Sequence, residues 1–140
     1  KNGIGHLMYK NKPIKFDSFC WHYDEVDRIA ADAVVLSSNN KSSIQALSFQ
    51  RNNSNIWAVQ YHPEFNAKWI SLLMKQRKNI LIKENIFNSN NDFDDLYSYL
   101  SDIGNSEHLR EKLAISESLL ENNIHTLELF NWLEYVKSDI

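Results

Sequence analysis

Cysteine, proline and glycine are all scarce in this 140-residue chain, with one, two and three copies respectively. A single cysteine excludes an internal disulfide and matches a reducing compartment, so a cytoplasmic location is expected. The glycines stand at Gly3, Gly5 and Gly104. Neither a G-x-x-x-x-G-K-[ST] phosphate loop nor a G-x-S-x-G elbow can be built from them, which removes P-loop nucleotide chemistry and serine hydrolysis of that type. No run of about 18 apolar residues occurs, and no basic-then-apolar leader is present, so neither a membrane span nor a signal peptide is expected. An excess of positive charge is missing too. A net charge of −3 and a pI near 5.9 argue against nucleic acid or an anionic membrane as partner. The acidic cluster His22-Tyr23-Asp24-Glu25 has no second His/Cys group with ligand spacing, so neither a metal site nor a cofactor is expected.

What is present suits one folded unit: 43% of residues are hydrophobic, enough for a core at this length. Four runs read as strands, Ile14 to Trp21, Ala33 to Ser38, Ile44 to Phe49 and Ile56 to Tyr61. Asn/Ser clusters at Ser37-Ser38-Asn39-Asn40 and Asn52-Asn53-Ser54-Asn55 read as turns, and such short connections favour antiparallel hairpins. After Phe65 the period becomes helical. Trp69, Leu72, Leu73 and Gln76 recur at helical spacing in a stretch running toward Ile80. Asn85 to Asn91 is a polar break, Asp92 is expected to cap a helix over Phe93 to Ile103, and Gly104 to stop it. A last amphipathic helix spans Asn123 to Lys137, with Ile124, Leu127, Phe130 and Leu133 as its apolar stripe, widened by Leu129, Trp132 and Val136. That stripe is expected to pack on the chain's own core, with a dimer or partner contact as the alternative.

The chemistry concentrates in Trp57-Ala58-Val59-Gln60-Tyr61-His62-Pro63-Glu64-Phe65. Pro63 has no N–H for a sheet ladder and biases His62 toward an extended conformation, which suits a strand end. On an extended chain His62 and Glu64 point to the same side. A carboxylate there can accept from one ring nitrogen of His62, fix its tautomer and free the other as a base. Cys20, between Phe19 and Trp21, reads as a small buried hydrophobe. His6, His108 and His125 read as surface or helix-end residues.

Upstream of His62 stand Ser18-Phe19-Cys20-Trp21-His22-Tyr23-Asp24-Glu25-Val26, Ala33-Val34-Val35-Leu36-Ser37-Ser38-Asn39 and Ile44-Gln45-Ala46-Leu47. With the Val59-Gln60-Tyr61-His62-Pro63-Glu64 run, these four motifs resemble, in order and spacing, the C-terminal half of class I glutamine amidotransferase domains, GMP-synthase-like ones above all. The resemblance covers residues 13 to 65, and Asn131-Trp132-Leu133 suits a subgroup with a helical C-terminal extension. It implies an α/β, flavodoxin-like fold with a mostly parallel sheet, residues 1–83 completing the amidotransferase domain and residues 84–140 forming the extension. It implies a glutaminase half reaction, in which a cysteine on a G-x-C-x-G elbow attacks the glutamine amide and ammonia passes to an acceptor domain or subunit. By motif match His62 is the general acid/base and Glu64 its orienting carboxylate. His22, Tyr23 and Asp24 line the glutamine pocket, although the family often has glycine at the position of Tyr23.

The nucleophile is the departure. No G-x-C-x-G occurs, and Cys20 has no flanking glycines. The expectation is therefore a fragment whose missing N-terminal half carries the cysteine, inactive alone and prone to aggregate or bind hydrophobic dye. Two alternatives stand beside it: a nucleophile-less binding or regulatory relative, and an independent small α/β domain in which the His-Pro-Glu run is incidental.

Overall fold

The computed structural model describes residues 3–103 and 107–138. Three strands, β1 (Val34–Ser37), β2 (Ala46–Arg51) and β3 (Ser54–Val59), form one sheet in that order, and both pairings are antiparallel. Asn52 and Asn53 close the β2–β3 hairpin with φ of 48° and 63°. Asparagine tolerates this left-handed region better than most residues, so a two-residue turn forms without glycine. A register shift between Val35 and Ser37 breaks the β1–β2 ladder, and Leu36 lies buried at that point.

Among the described residues six helical segments follow: α1 (Ala67–Lys83), α2 (Asn90–Ser101), α3 (Glu107–Leu113), α4 (Glu117–Leu120), α5 (Asn122–His125) and α6 (Leu127–Ser138). Asn66 caps α1 by accepting the Trp69 N–H at 2.8 Å. The helix ends where Asn85 turns to φ 54° and the Ile86 N–H reaches back to the Leu81 carbonyl at 3.0 Å. α2 is capped by Ser89, not Asp92. The Asp92 N–H donates to Ser89 Oγ, which leaves the Asp92 carboxylate in the first turn, where it favours the helix dipole. Gly104, expected to stop this helix, lies outside the described residues.

Two apolar clusters hold the elements. Phe19, Ala67, Ile70, Met74, Leu81, Phe93, Tyr99 and Leu100 join α1 and α2 to the segment before the sheet. Met8, Leu36, Ala46 and Tyr61 join a 3-10 turn over Leu7–Tyr9 to the sheet.

Three expectations change. Ile14 to Trp21 is not a strand: Cys20 alone bridges to Tyr61, and Asp17 is tied instead to Ser116 and Ser118 in the helical part. Within α1 the buried stripe is Ile70, Met74 and Leu81, while Trp69 and Leu72 are exposed, a rotation of the face read from periodicity. The C-terminal stripe is reversed most of all. α6 buries Glu128 and Asn131, while Leu129, Phe130, Trp132, Leu133 and Val136 face outward, Phe130 at 58% exposure.

A buried polar network explains that reversal. Lys12 Nζ donates to Glu128 Oε2 at 2.6 Å and to the carbonyls of Ile124 and His125 at 3.3 and 3.1 Å. Tyr61 Oη donates to Glu128 Oε1 at 2.7 Å, and Tyr9 Oη lies 2.9 Å from Tyr61 Oη. Asn131 Nδ2 donates to the Met8 and Lys10 carbonyls, both at 2.9 Å. Trp57 stacks on Tyr135 at 5.0 Å between ring centres. The helix is seated by hydrogen bonds and one charge pair, so its apolar side is left over.

Candidate active site

The residues after β3 are held from two sides. The Gln60 N–H donates to the Gln45 carbonyl at 2.8 Å, Tyr61 bridges to Cys20, and the His62 N–H donates to the Phe19 carbonyl at 2.7 Å. Pro63 is fully buried, and the Phe65 N–H closes a turn on the His62 carbonyl at 3.3 Å before Asn66 starts α1. His62 and Glu64 thus sit on a short junction between sheet and helix, backed by buried neighbours on either side.

His62 Nδ1 lies 2.7 Å from Glu64 Oε1. A carboxylate accepts only, so Nδ1 carries the proton and Nε2 holds the free lone pair. Partial burial works to raise the Glu64 carboxyl pKa. The hydrogen bond from His62, a backbone N–H and the nearby His62 and His125 charges outweigh it, and the net shift is downward. The His62 ring stacks face to face on Phe65, with centres 4.0 Å apart and planes within 3°. Phe65 in turn contacts Trp69 at 4.4 Å. A half-buried ring above a fixed aromatic floor is a stable platform for a base.

The segment bearing His22, Tyr23 and Asp24 has no regular structure, and all three residues are exposed, Tyr23 at 78%. His22 Nδ1 pairs with the Asp24 carbonyl at 2.8 Å, and Gln60 Nε2 donates to that same carbonyl at 3.2 Å. Gln60 therefore ties the segment to the strand that leads into His62. None of the three side chains bonds to His62 or Glu64.

Cys20 corrects the sequence reading. It is exposed rather than buried, and its Sγ donates to Gln45 Oε1 at 3.7 Å. Its partner across the bridge is Tyr61, whose side chain shares its face, whereas His62 alternates to the other. Local desolvation raises the thiol pKa, the opposite of what a nucleophile needs.

His125 does end α5, one of the two placements read for it, but it does not lie at the surface. It is 1% exposed, its Nε2 lies 2.6 Å from the Phe65 carbonyl, and its ring packs edge-on against Phe19 at 5.4 Å. Lys12 and Glu128 also escaped the sequence analysis, and Gln60 was read only as part of the Val59–Glu64 motif. Lys12 and Glu128 are separated by 116 positions, and no local pattern links them. The only available signal was polar residues on an otherwise apolar helix.

Comparison with known proteins places the sequence in a family. The model for "Glutamine amidotransferase class-I" covers residues 2–78, more than half of the chain. The chain belongs to the class I glutamine amidotransferases. Their fold is α/β and flavodoxin-like, and the small sheet with helices among the described residues is consistent with it. A gamma-glutamyl-L-1-hydroxyisopropylamide hydrolase from a Pseudomonas species is 27% identical over 137 residues, 96% of this chain and 46% of its own length. The glutamine-hydrolysing GMP synthase of Fusobacterium nucleatum is 39% identical over 59 residues, 42% of this chain and 11% of its own length. The chain thus spans about half the length of the first relative and about a tenth of the second. No solved structure matches it. Among the described residues no helix is long and apolar enough to cross a membrane.

Proposed function

We propose that this chain supplies the histidine and the orienting carboxylate of a Cys-His-Glu site that hydrolyses the side-chain amide of glutamine. The observation that carries the reading is the 2.7 Å contact between His62 Nδ1 and Glu64 Oε1, which leaves His62 Nε2 free. A thiol supplied from outside these 140 residues gives its proton to Nε2 as sulfur adds to the amide carbon. The tetrahedral intermediate collapses, His62 returns the proton to nitrogen, and ammonia leaves a glutamyl thioester. His62 then takes a proton from water, which adds to the thioester. Collapse releases glutamate, and the proton goes back to the cysteine sulfur. Glu64 stabilises the imidazolium that forms twice in the cycle. His22, Tyr23 and Asp24 line the glutamine side, held through the Gln60 bond to the Asp24 carbonyl. Residues 1–83 complete the amidotransferase domain, and residues 84–140 are its helical extension. Ammonia passes to an acceptor domain or subunit of the synthetase kind.

A second reading has its own support. The match to the Pseudomonas hydrolase runs through the C-terminal helices, covering 96% of the chain, whereas the GMP synthase match covers 42%. On that reading the scissile amide is N-substituted, and an amine leaves in place of ammonia.

The test is His62→Ala in the polypeptide that carries the nucleophile. Glutamate release from L-glutamine should vanish, while any synthesis fed by free ammonia continues. Loss of both would make His62 structural. Assaying L-glutamine beside γ-glutamyl isopropylamide separates the two substrate readings, because the faster substrate names the leaving group.

A further inference from the structure

We propose that His125, on α5, is a positioning residue for His62, acting through the Phe65 main chain and ring. The inference rests on the assignment of His62 as general acid/base. A carbonyl oxygen can only accept, so the 2.6 Å contact requires a proton on His125 Nε2. His125 Nδ1 is then a bare acceptor, and it has no partner among the described residues. A buried ring that leaves one nitrogen unsatisfied in order to donate through the other is held for that one bond. The bond ends on the residue whose ring lies flat beneath His62 at 4.0 Å.

Among the described residues the Phe65 main chain otherwise bonds through the 3.3 Å turn contact to His62 itself, which gives it no outside reference, while its ring packs against Trp69 and the core cluster of α1 and α2. His125 gives that outside reference. It is fixed by Phe19, whose own carbonyl accepts from the His62 N–H, and by Lys12, which donates to the His125 carbonyl. The next helix grips the other flank, where Glu128 accepts from Tyr61, the residue before His62. The C-terminal helices therefore hold the junction on both sides of the base. Burial lowers the His125 pKa and outweighs the bond to the Phe65 carbonyl, which works to raise it; the net downward shift is consistent with a neutral donor.

Two variants separate a bond from mere packing. His125→Phe keeps an aromatic ring against Phe19 and removes the donor, whereas the His125→Gln amide can still reach the Phe65 carbonyl. Turnover is followed in the nucleophile-bearing polypeptide with L-glutamine or γ-glutamyl isopropylamide, whichever the wild type hydrolyses. His125→Phe should lower kcat roughly 10- to 100-fold with KM little changed, the loss expected when a base is displaced by a fraction of an ångström. His125→Gln should recover most of that loss. Equal activity in His125→Phe and wild type, or equal loss in both variants, would overturn the proposal. Should His125→Phe not fold, nitrogen NMR of the wild-type chain decides: an Nε2–H tautomer at His125 supports the bond, and an Nδ1–H tautomer removes it. Undiminished turnover in His62→Ala would instead sink the underlying assignment.

Discussion

Glu128→Gln isolates what seats the C-terminal helix. The change keeps side-chain volume and creates no cavity, yet it leaves the Lys12 ammonium, 0% exposed at the side chain, without its counter-charge. Breaking a buried pair by removing one partner costs about 3–5 kcal/mol. The Ile124 and His125 carbonyls still accept from Lys12, so the lower end, about 3 kcal/mol, applies here. Apolar burial on this face is slight, the Trp57–Tyr135 stack and half-buried Leu127, because Leu129, Phe130, Leu133 and Val136 point outward. The loss should therefore appear as local opening of α6 rather than global unfolding. Hydrogen exchange read by mass spectrometry on peptides from 127–138 should show roughly 100-fold less protection, since each 1.4 kcal/mol is tenfold. Peptides from α1 should change little. The double change Lys12→Met with Glu128→Leu removes both charges, and Tyr61 keeps Tyr9 as its partner. It should return protection to within about 1 kcal/mol of wild type. Wild-type protection in Glu128→Gln, or a double variant as open as the single, would refute the view that an uncompensated charge sets the effect.

The chain should lose stability as pH falls below about 6.5, the ordinary histidine value. Burial lowers the His125 pKa in the folded state, so its contribution is full above the unfolded value and is lost as pH falls through the folded one. Urea midpoints at pH 7.5 and pH 5 should differ in wild type, and the difference should shrink in His125→Gln. The outward face of α6 should bind a hydrophobic dye, and Phe130→Glu with Leu133→Lys should reduce the fluorescence. Unchanged dye binding would place the exposed apolar surface elsewhere, with Trp69 and Leu72 of α1 the next candidates.

The junction bearing the dyad was legible in the sequence because its logic is local. Pro63 ends the ladder as expected, but the backbone from His62 is not extended: Pro63 and Glu64 occupy a turn closed by the Phe65 N–H on the His62 carbonyl, and that local turn brings Glu64 to the His62 ring. The β2–β3 hairpin was legible for the same reason, since paired asparagines turn without outside help. The change to helices after Phe65 needed only periodicity. The buried faces of α1 and α6 were not readable in this way. An apolar stripe says that a helix has two sides, and the partners decide which side is covered. For α6 the decisive partners are Lys12, Tyr61 and the Met8 and Lys10 carbonyls, all far away in the chain, and they draw its polar side inward. His125 ends α5 as read, but its burial was not legible, for the same reason. Its hydrogen-bond partner is the Phe65 carbonyl, 60 positions away. The sequence by itself determined the chemistry of the pair, because neighbouring atoms carry it. Only the tertiary structure decided what holds that pair in place, because buried hydrogen bonds and charges between distant segments have no periodicity to announce them.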